Sequence, residues 1–185
     1  MEVIRAFIAF EIDENIKNEI MKIENKIKEN EIDVKLVERE NLHITLKFLG
    51  NVEGKLLEKI FNMLDNIKEK KFEISIEDIG AFPNEKYMRV LWVGIKEGKE
   101  NIIRIQKELD NKLLPLGFKK EKDFIPHITI GRIKSFRNKE KLIEIFEEYR
   151  GYFFGKCIID RLVLKKSILT PHGPIYHNLK EVFFD

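Results

Sequence analysis

Two nearly identical four-residue segments lie far apart in this chain. The first is HITL at residues 43–46, and the second is HITI at residues 127–130. Together they use two of the four histidines and two of the three threonines in 185 residues, a coincidence that composition alone makes rare. We therefore interpret the two segments as equivalent parts of an internally repeated fold.

The flanking sequence extends this correspondence. The two motifs are 84 positions apart, and moving Arg5 by the same distance reaches Arg89, which places RAFIAF over RVLWVG without a gap. A duplicated strand-helix-strand unit predicts such a match. Because no low-complexity linker separates the halves, residues 1–185 are predicted to form a single bilobal domain with an internal repeat and one motif in each lobe.

Hydrophobic periodicity places the other elements. Single helices interrupt runs of two or three apolar strands, which predicts an α+β fold. We expect two pseudo-twofold-related lobes of antiparallel or mixed sheet, with helices outside and both motifs in a central cleft. A turn is predicted at Pro83-Asn84 and another at TPHGP, residues 170–174. The predicted helices cover residues 16–27, 56–67, 102–113 and 142–149, and the predicted closing strands cover residues 152–165 and 174–184.

Composition excludes several classes of protein. A formal net charge of +2 provides little general attraction to nucleic acid or anionic lipid, so an anionic ligand must be held locally. No segment approaches the roughly 18 apolar residues of a membrane span. The single cysteine, Cys157, lies in an apolar run without a neighbouring base and is predicted to be a packing residue. We expect a cytoplasmic monomer.

Each motif presents an imidazole beside a hydroxyl. On a strand, side chains alternate between two faces, so His43, Thr45 and Lys47 are predicted to share one face. The opposite face would carry the apolar side chains, including that of Phe48, which is therefore predicted to pack in the core. His127 and Thr129 repeat the arrangement in the second motif.

Two histidines across a cleft are suited to acid-base chemistry. An imidazole titrates near neutral pH, so one ring can act as general base while the other acts as general acid. Threonine hydroxyls can donate to the oxygens of a phosphate in the transition state. The scheme needs no metal or other cofactor, and the histidine spacing matches no common zinc signature. A purely structural role for both motifs is the competing interpretation.

The motifs and their surroundings resemble the 2H phosphoesterase superfamily. Beyond the paired H-x-T segments, RAFIAFEI, AFPNEKYMRVLWVGI, FIPHITIGR and LTPHGPIYHNL are similar to the branch of RNA 2′,3′-cyclic phosphodiesterases and 2′-5′ RNA ligases. The resemblance covers the chain from Arg5 to its C-terminal strand. It implies hydrolysis of an RNA 2′,3′-cyclic phosphate end to a 2′-phosphate, and the reverse ligation to a 5′-hydroxyl is a further reaction of this branch.

The resemblance also implies roles for particular residues. His43 would be the general acid that protonates the departing 3′ oxygen, and His127 would be the general base that activates water. Thr45 and Thr129 would bind the phosphate oxygens. The residues alone leave the two histidine roles open, because pseudo-symmetric sites can exchange them.

Arg132 resembles a family arginine near the phosphate, and a guanidinium suits that task through bidentate donation. Strict alternation, however, puts it on the face opposite His127. It reaches the cleft only if the strand bulges or ends at Gly131.

Several other residues have less specific signals. Tyr176, or Phe48 if it were exposed, could stack on a terminal base. Lys47 is a candidate phosphate neighbour. His172 and His177 are predicted to be surface residues, and so are the lysines at positions 119, 120 and 122.

Two other functions remain open on the sequence alone. One is a 2H enzyme for small cyclic phosphates, such as a cyclic nucleotide or ADP-ribose 1″,2″-cyclic phosphate. The other is a non-catalytic module that binds RNA ends. The first predicts turnover of small substrates, and the second predicts binding without product.

Overall fold

The computed structural model describes residues 2–185. In these residues nine strands and four α-helices alternate along the chain. The strands are β1 (Val3–Phe10), β2 (Val34–Leu36), β3 (Ile44–Glu53), β4 (Phe72–Asn84), β5 (Tyr87–Ile95), β6 (His127–Ile133), β7 (Phe153–Ile159), β8 (Arg161–Thr170) and β9 (Gly173–Phe183). The helices are α1 (Glu14–Glu29), α2 (Gly54–Asp65), α3 (Lys99–Leu113) and α4 (Lys139–Tyr149).

The strands form two antiparallel sheets, one in each lobe. Their orders are β3-β1-β8-β9 and β2-β6-β5-β4-β7. Apart from the short edge strand β2, the second order repeats the first, with β6, β5, β4 and β7 in the places of β3, β1, β8 and β9. The predicted α+β fold of two pseudo-twofold-related lobes is confirmed, and the sheets are antiparallel rather than mixed.

The helices connect the two lobes. Helix α1 packs against β7 and α4 of the second lobe, whereas α3 packs against β3 and α2 of the first. Each of these helices therefore covers apolar surface of the lobe to which the strand before it does not belong. The buried residues of both lobes form one continuous hydrophobic cluster. This exchange holds the two sheets in a fixed relation, which positions the cleft between them.

The register of the repeat differs by one residue from the predicted one. Thr45 pairs with Ala9, and Thr129 pairs with Trp92. Ala9 and Trp92 are therefore equivalent and lie 83 positions apart, although the threonines are 84 apart. The connection from β5 to β6 is one residue longer than that from β1 to β3, which sequence periodicity did not reveal.

This shift corrects the proposed match of Arg5 with Arg89. Phe7 corresponds to Val90, but Arg89 is a bulge residue in β5, so Met88 takes the place of Ala6 and Tyr87 takes the place of Arg5. The two arginines consequently do not occupy equivalent positions. The ungapped superposition of RAFIAF on RVLWVG was wrong by one residue.

Two other boundaries differ from the predictions. The predicted closing strand at 152–165 is two strands in different sheets, because the chain leaves β7 at Ile159 and crosses to β8 at Arg161. The predicted turn at Pro83-Asn84 lies two residues later, since β4 continues to Asn84. Its side-chain oxygen accepts hydrogen bonds from the N–H groups of Lys86 and Tyr87, both at 3.0 Å. The turn predicted at TPHGP is present between β8 and β9.

The remaining composition-based predictions concern Cys157 and the membrane. Cys157 is buried, and burial raises the pKa of its thiol to about 12, as expected for a packing residue. Over residues 2–185, no helix has the length and apolar character that crossing a bilayer requires.

Candidate active site

A cavity of about 350 Å³ lies between the two sheets, and both motifs line it. Its walls include His43 and Thr45 from the first lobe and His127 and Thr129 from the second. The strands β3 and β6, which carry or directly follow the motif histidines, contact each other. Residues that are 84 positions apart in sequence are thus brought to one site.

The first motif histidine is hydrogen-bonded at both ring nitrogens. Its Nδ1–H donates to the backbone carbonyl of Asn41 at 2.6 Å, which leaves Nε2 as the acceptor of the neutral ring. The hydroxyl of Thr45 lies 2.7 Å from Nε2. The ring packs among aromatic side chains, with centroid distances of 5.0 Å to Phe7 and 5.6 Å to Tyr176. His43 is therefore held in one orientation with its Nε2 edge towards Thr45.

The second motif histidine is hydrogen-bonded on one side only. Nδ1–H of His127 donates to the carbonyl of Ile125 at 2.7 Å, so Nε2 carries the lone pair of the neutral ring. Within residues 2–185, Nε2 has no hydrogen-bonding partner, and neither does the hydroxyl of Thr129. The ring of Phe82 meets the imidazole edge-on at 4.9 Å. Nε2 of His127 is free to accept a proton from a bound molecule.

Burial lowers the pKa values of both histidines. The pKa of His43 falls to about 4, because desolvation disfavours the imidazolium; the Asn41 carbonyl opposes the shift, and the charge of Lys165 adds to it. For His127, desolvation is again the largest cause, and the charge of Arg132 adds to it. Both rings are therefore neutral in the empty site at neutral pH, and an anionic ligand would raise both pKa values.

Two bulges in β3 change which side chains reach the cavity. Ile8 pairs with Lys47 and Ala9 with Thr45, so Leu46 is an extra residue, and Leu49 is a second one. The alternation therefore shifts after Thr45. Lys47 turns to the buried face, and Phe48 turns into the cavity.

Both predictions made for this part of the strand were thus wrong. Lys47 does not share a face with His43; it is 4% exposed and forms an ion pair away from the cavity. Phe48 is not in the core, since it is 67% exposed and lines the cavity. Period-two alternation alone could not reveal the bulges, because they are defined by the pairing with β1.

A bulge in β6 brings Arg132 to the site. Trp92 pairs with Thr129 and Leu91 with Gly131, so Ile130 is the extra residue. The sequence predicted that Arg132 would reach the cleft only if the strand bulged or ended at Gly131. The bulge lies one residue earlier, at Ile130, and Arg132 lines the cavity. Its equivalent in the first lobe is Phe48, because their partners Val90 and Phe7 are 83 positions apart.

The β8-β9 hairpin forms another wall of the cavity. Tyr176 lies on it, with its ring 4.9 Å from that of Phe7 in an edge-on contact. His172 is exposed, as predicted, but it also lines the cavity. His177 is exposed and is not among the lining residues. The lysines of the 119–122 loop are exposed and lie outside the cavity, as predicted.

Sequence reasoning missed two residues of the site. The sequence pattern indicated Arg5 only as part of the repeat, but in the structure Arg5 lines the cavity. Asn41 is buried, and its side-chain amide donates to the carbonyl of Pro174 at 2.9 Å while its own carbonyl orients His43. The position of Asn41 two residues before the histidine was the only local signal. Over residues 2–185, no three His, Cys, Asp or Glu side chains converge as metal ligands would.

Comparison with known proteins agrees with this geometry. A family model described as LigT like Phosphoesterase matches residues 10–92 and again residues 93–176. The RNA 2′,3′-cyclic phosphodiesterase of Methanocaldococcus jannaschii is 46% identical over 177 residues, covering 96% of this chain and 99% of that protein. The protein of the same name from Methanothermobacter thermautotrophicus is 43% identical, covering 97% and 98%.

Solved structures show the same fold. Escherichia coli LigT in its apo form has a TM-score of 0.82 at 22% identity, covering 100% of this chain and 99% of LigT. A complex of LigT with 3′-AMP has a TM-score of 0.79 at 21% identity and covers 99% of each chain. Two antiparallel lobes with a histidine-threonine pair from each in one cavity define the class of 2H phosphoesterases. Within that class, this chain belongs to the LigT-like phosphoesterase family.

Proposed function

We propose that this protein hydrolyses the 2′,3′-cyclic phosphate at the end of an RNA chain to a 2′-phosphate. The observation that carries the proposal is the pair of histidines in one cavity, each with Nδ1–H fixed by a backbone carbonyl and Nε2 left for proton transfer. Relatives at 46% and 43% identity that carry the name RNA 2′,3′-cyclic phosphodiesterase support the substrate.

The two hydrogen-bonding patterns favour one assignment of roles. His127 has a free Nε2 lone pair, so it acts as the general base that takes a proton from water. The hydroxyl that results attacks phosphorus, and the bond to the 3′ oxygen breaks. His43, protonated at Nε2 once the anionic substrate is bound, donates that proton to the 3′ oxygen. Solvent exchange then restores both histidines.

The other cavity residues would bind the substrate. The hydroxyls of Thr45 and Thr129 donate to the nonbridging phosphate oxygens, and Arg132 donates to them bidentately. Phe48 and Tyr176 offer aromatic faces for the terminal base. Each step uses only side chains of this chain and water, so the proposed reaction involves no cofactor. In the ligation a 5′-hydroxyl would take the place of water as the nucleophile, with His127 as base and His43 as the acid that protonates the departing 3′ oxygen.

The proposal also includes the binding partner, the oligomeric state and the cellular location of the protein. The partner is RNA with a 2′,3′-cyclic phosphate end, and the protein works as a cytoplasmic monomer. The exchange of helices between the lobes supports the monomer, since one chain already forms both halves of the site. The single buried cysteine is compatible with a reducing compartment.

The test is hydrolysis of a short oligoribonucleotide ending in a 2′,3′-cyclic phosphate, in EDTA. Wild type is expected to release only the 2′-phosphate, and His43→Ala and His127→Ala should each lose about a hundredfold or more of kcat. His177→Ala is the matched control, because this exposed histidine lies outside the cavity lining. Binding of the oligonucleotide without any product would instead support an RNA-end-binding module. Turnover of small cyclic phosphates alone would support the small-substrate enzyme.

A further inference from the structure

Two arginines that line the cavity have no partner among residues 2–185. Arg5 and Arg132 form no hydrogen bond or ion pair with any residue in 2–185. Every other arginine is bonded: the six are Arg39, Arg89, Arg104, Arg137, Arg150 and Arg161. Since a guanidinium carries five donors, two unpaired guanidinium groups at one cavity indicate a site that binds anions.

The two arginines lie at different distances from the motif histidines. Arg5 precedes Phe7 by two residues on the same face of β1, which places its Cα about 7 Å further along the strand. The Phe7 ring is 5.0 Å from that of His43. On the neighbouring strand, Phe7 pairs with Phe48 and Arg5 pairs with Asn51. Arg5 thus lies beyond the aromatic pair as seen from His43, and it lines the same cavity.

Both guanidinium groups line the same cavity as Tyr176 and lie within electrostatic range of its side chain. Burial raises the pKa of Tyr176, and the positive charges of Arg132 and Arg5 oppose that shift. Arg5 belongs to the first lobe and Arg132 to the second. The exposed Lys35, which pairs with Arg132 on the neighbouring strand, adds a third cation to the lining, and Glu38 is the one carboxylate in it.

The repeat shows that Arg5 has no counterpart. Because Arg89 is a bulge residue in β5, its place in the second lobe is taken by Tyr87, which does not line the cavity, whereas the equivalent of Arg132 is the aromatic Phe48. The cavity is therefore asymmetric. The reacting cyclic phosphate carries a single negative charge, and under the proposed function Arg132 and the two threonines already bind it. Arg5 is a cation beyond what that phosphate requires.

We propose that Arg5 binds the phosphate on the 5′ side of the terminal nucleoside, so that the enzyme selects the end of an RNA chain over a free nucleoside cyclic phosphate. This inference rests on the proposed function. The base would lie against Phe48 and Tyr176, between the reacting phosphate at the histidines and the second phosphate at Arg5. That order along the cavity matches the order of phosphate, nucleoside and phosphate in an RNA strand.

Two substrates that differ by one phosphate test the proposal. Adenosine 2′,3′-cyclic phosphate lacks the second phosphate, and its 5′-phosphorylated form supplies it without another nucleoside. Wild type is expected to show a kcat/KM at least about tenfold higher for the phosphorylated form, as expected for a hydrogen bond between charged groups. Arg5→Gln should remove this preference and leave kcat/KM for the unphosphorylated form within about twofold. Arg5→Lys should restore part of it.

The matched control is Arg89→Gln, since Arg89 is exposed, bonds to Tyr87 at 3.1 Å and lies outside the cavity lining. This substitution should leave kcat/KM unchanged for both substrates. Equal losses on both substrates with Arg5→Gln would overturn the proposal, as would an unchanged preference.

If wild type hydrolysed neither mononucleotide, the proposed function would stand if the oligoribonucleotide were still hydrolysed and would fail if it were not. Calorimetric binding of 3′-AMP and adenosine 3′,5′-bisphosphate would then decide about Arg5. Tighter binding of the bisphosphate that disappears in Arg5→Gln would support the second phosphate site, and equal binding of the two nucleotides by wild type would exclude it.

Discussion

Lys47 and Asp110 form a buried ion pair that joins the two lobes, with 2.7 Å between Nζ and Oδ1. Lys47 lies on β3, four residues after His43, and Asp110 lies on α3 of the second half. Both side chains are at most 5% exposed. Lys47 also bonds to the backbone carbonyl of Lys119, and the other Asp110 oxygen accepts the N–H of Glu121 at 2.7 Å. The strand of one motif is thereby fixed to the loop that leads to the other.

We expect removal of one partner of this pair to be strongly destabilising. Asp110→Leu leaves the buried Lys47 charge with only the half-exposed Glu121 carboxylate, 3.6 Å away, which should lower the free energy of unfolding by about 3 kcal/mol. Urea denaturation measures the loss. The double variant Lys47→Met with Asp110→Leu removes both charges and should regain most of the stability. Lys156→Met is the control: its pairs with Glu73 and Glu97 are exposed, and it should cost less than about 1 kcal/mol.

The double variant also separates positioning from stability. It lacks the acceptor for the N–H of Glu121, so the loop before His127 is held less firmly. We expect kcat to fall about tenfold although the protein is folded, with KM nearly unchanged. Full activity in a stable double variant would show that the pair serves stability alone.

Asn41 is expected to position His43 through the β8-β9 hairpin. In Asn41→Ala the carbonyl that orients Nδ1 of His43 is retained, but the bond to the Pro174 carbonyl is lost. The half-buried Pro174 carbonyl then loses this partner, which should cost about 1 kcal/mol of stability and reduce kcat. Asn66→Ala removes a similar bond, to the Asn62 carbonyl, at an exposed site and should affect neither. A normal kcat in Asn41→Ala would contradict the positioning role.

The pH dependence of kcat/KM should have its maximum on the acidic side. The reaction needs one protonated and one neutral histidine in the free enzyme, and burial lowers the pKa of His43 to about 4 and that of His127 below its usual 6.5. We expect kcat/KM to peak between about pH 4 and 6.5 and to fall above it. The profile of kcat should lie at higher pH, because the bound anion raises both pKa values. A kcat/KM that still rises above pH 7 would contradict this expectation.

Stability should decrease on acidification for the same physical reason. Because its pKa is lowered on folding, His43 binds fewer protons in the folded than in the unfolded state between about pH 4 and 6.5. Its contribution is therefore fully present above pH 6.5 and is lost as the pH falls towards 4. Between pH 7 and pH 5 the loss is about 2 kcal/mol.

Denaturation of wild type and His43→Gln at both pH values measures this contribution. The wild type should lose about 2 kcal/mol more than the variant, while His177→Gln should behave like wild type, because His177 is exposed. Identical pH dependence in wild type and His43→Gln would show that His43 is not held neutral by the fold.

The sequence by itself determined the elements and the candidate catalytic pair. Each helix is centred where the three-to-four-residue spacing of apolar side chains predicts it, because that spacing is a local property of the chain. The duplicated H-x-T segments likewise identified two strands that carry a histidine and a threonine on one face. The amino-acid sequence was therefore sufficient to predict that His43 and His127 face one cleft.

Only the tertiary structure decided which neighbouring side chains reach the cavity. Bulges at Leu46 and Ile130 turn Phe48 and Arg132 into it and send Lys47 to the core. A bulge depends on how a strand pairs with a partner distant in sequence, so local alternation cannot locate it. The one-residue difference between the β1–β3 and β5–β6 connections is equally invisible in the motifs. It is this tertiary pairing that leaves Arg5 without a counterpart in the second lobe.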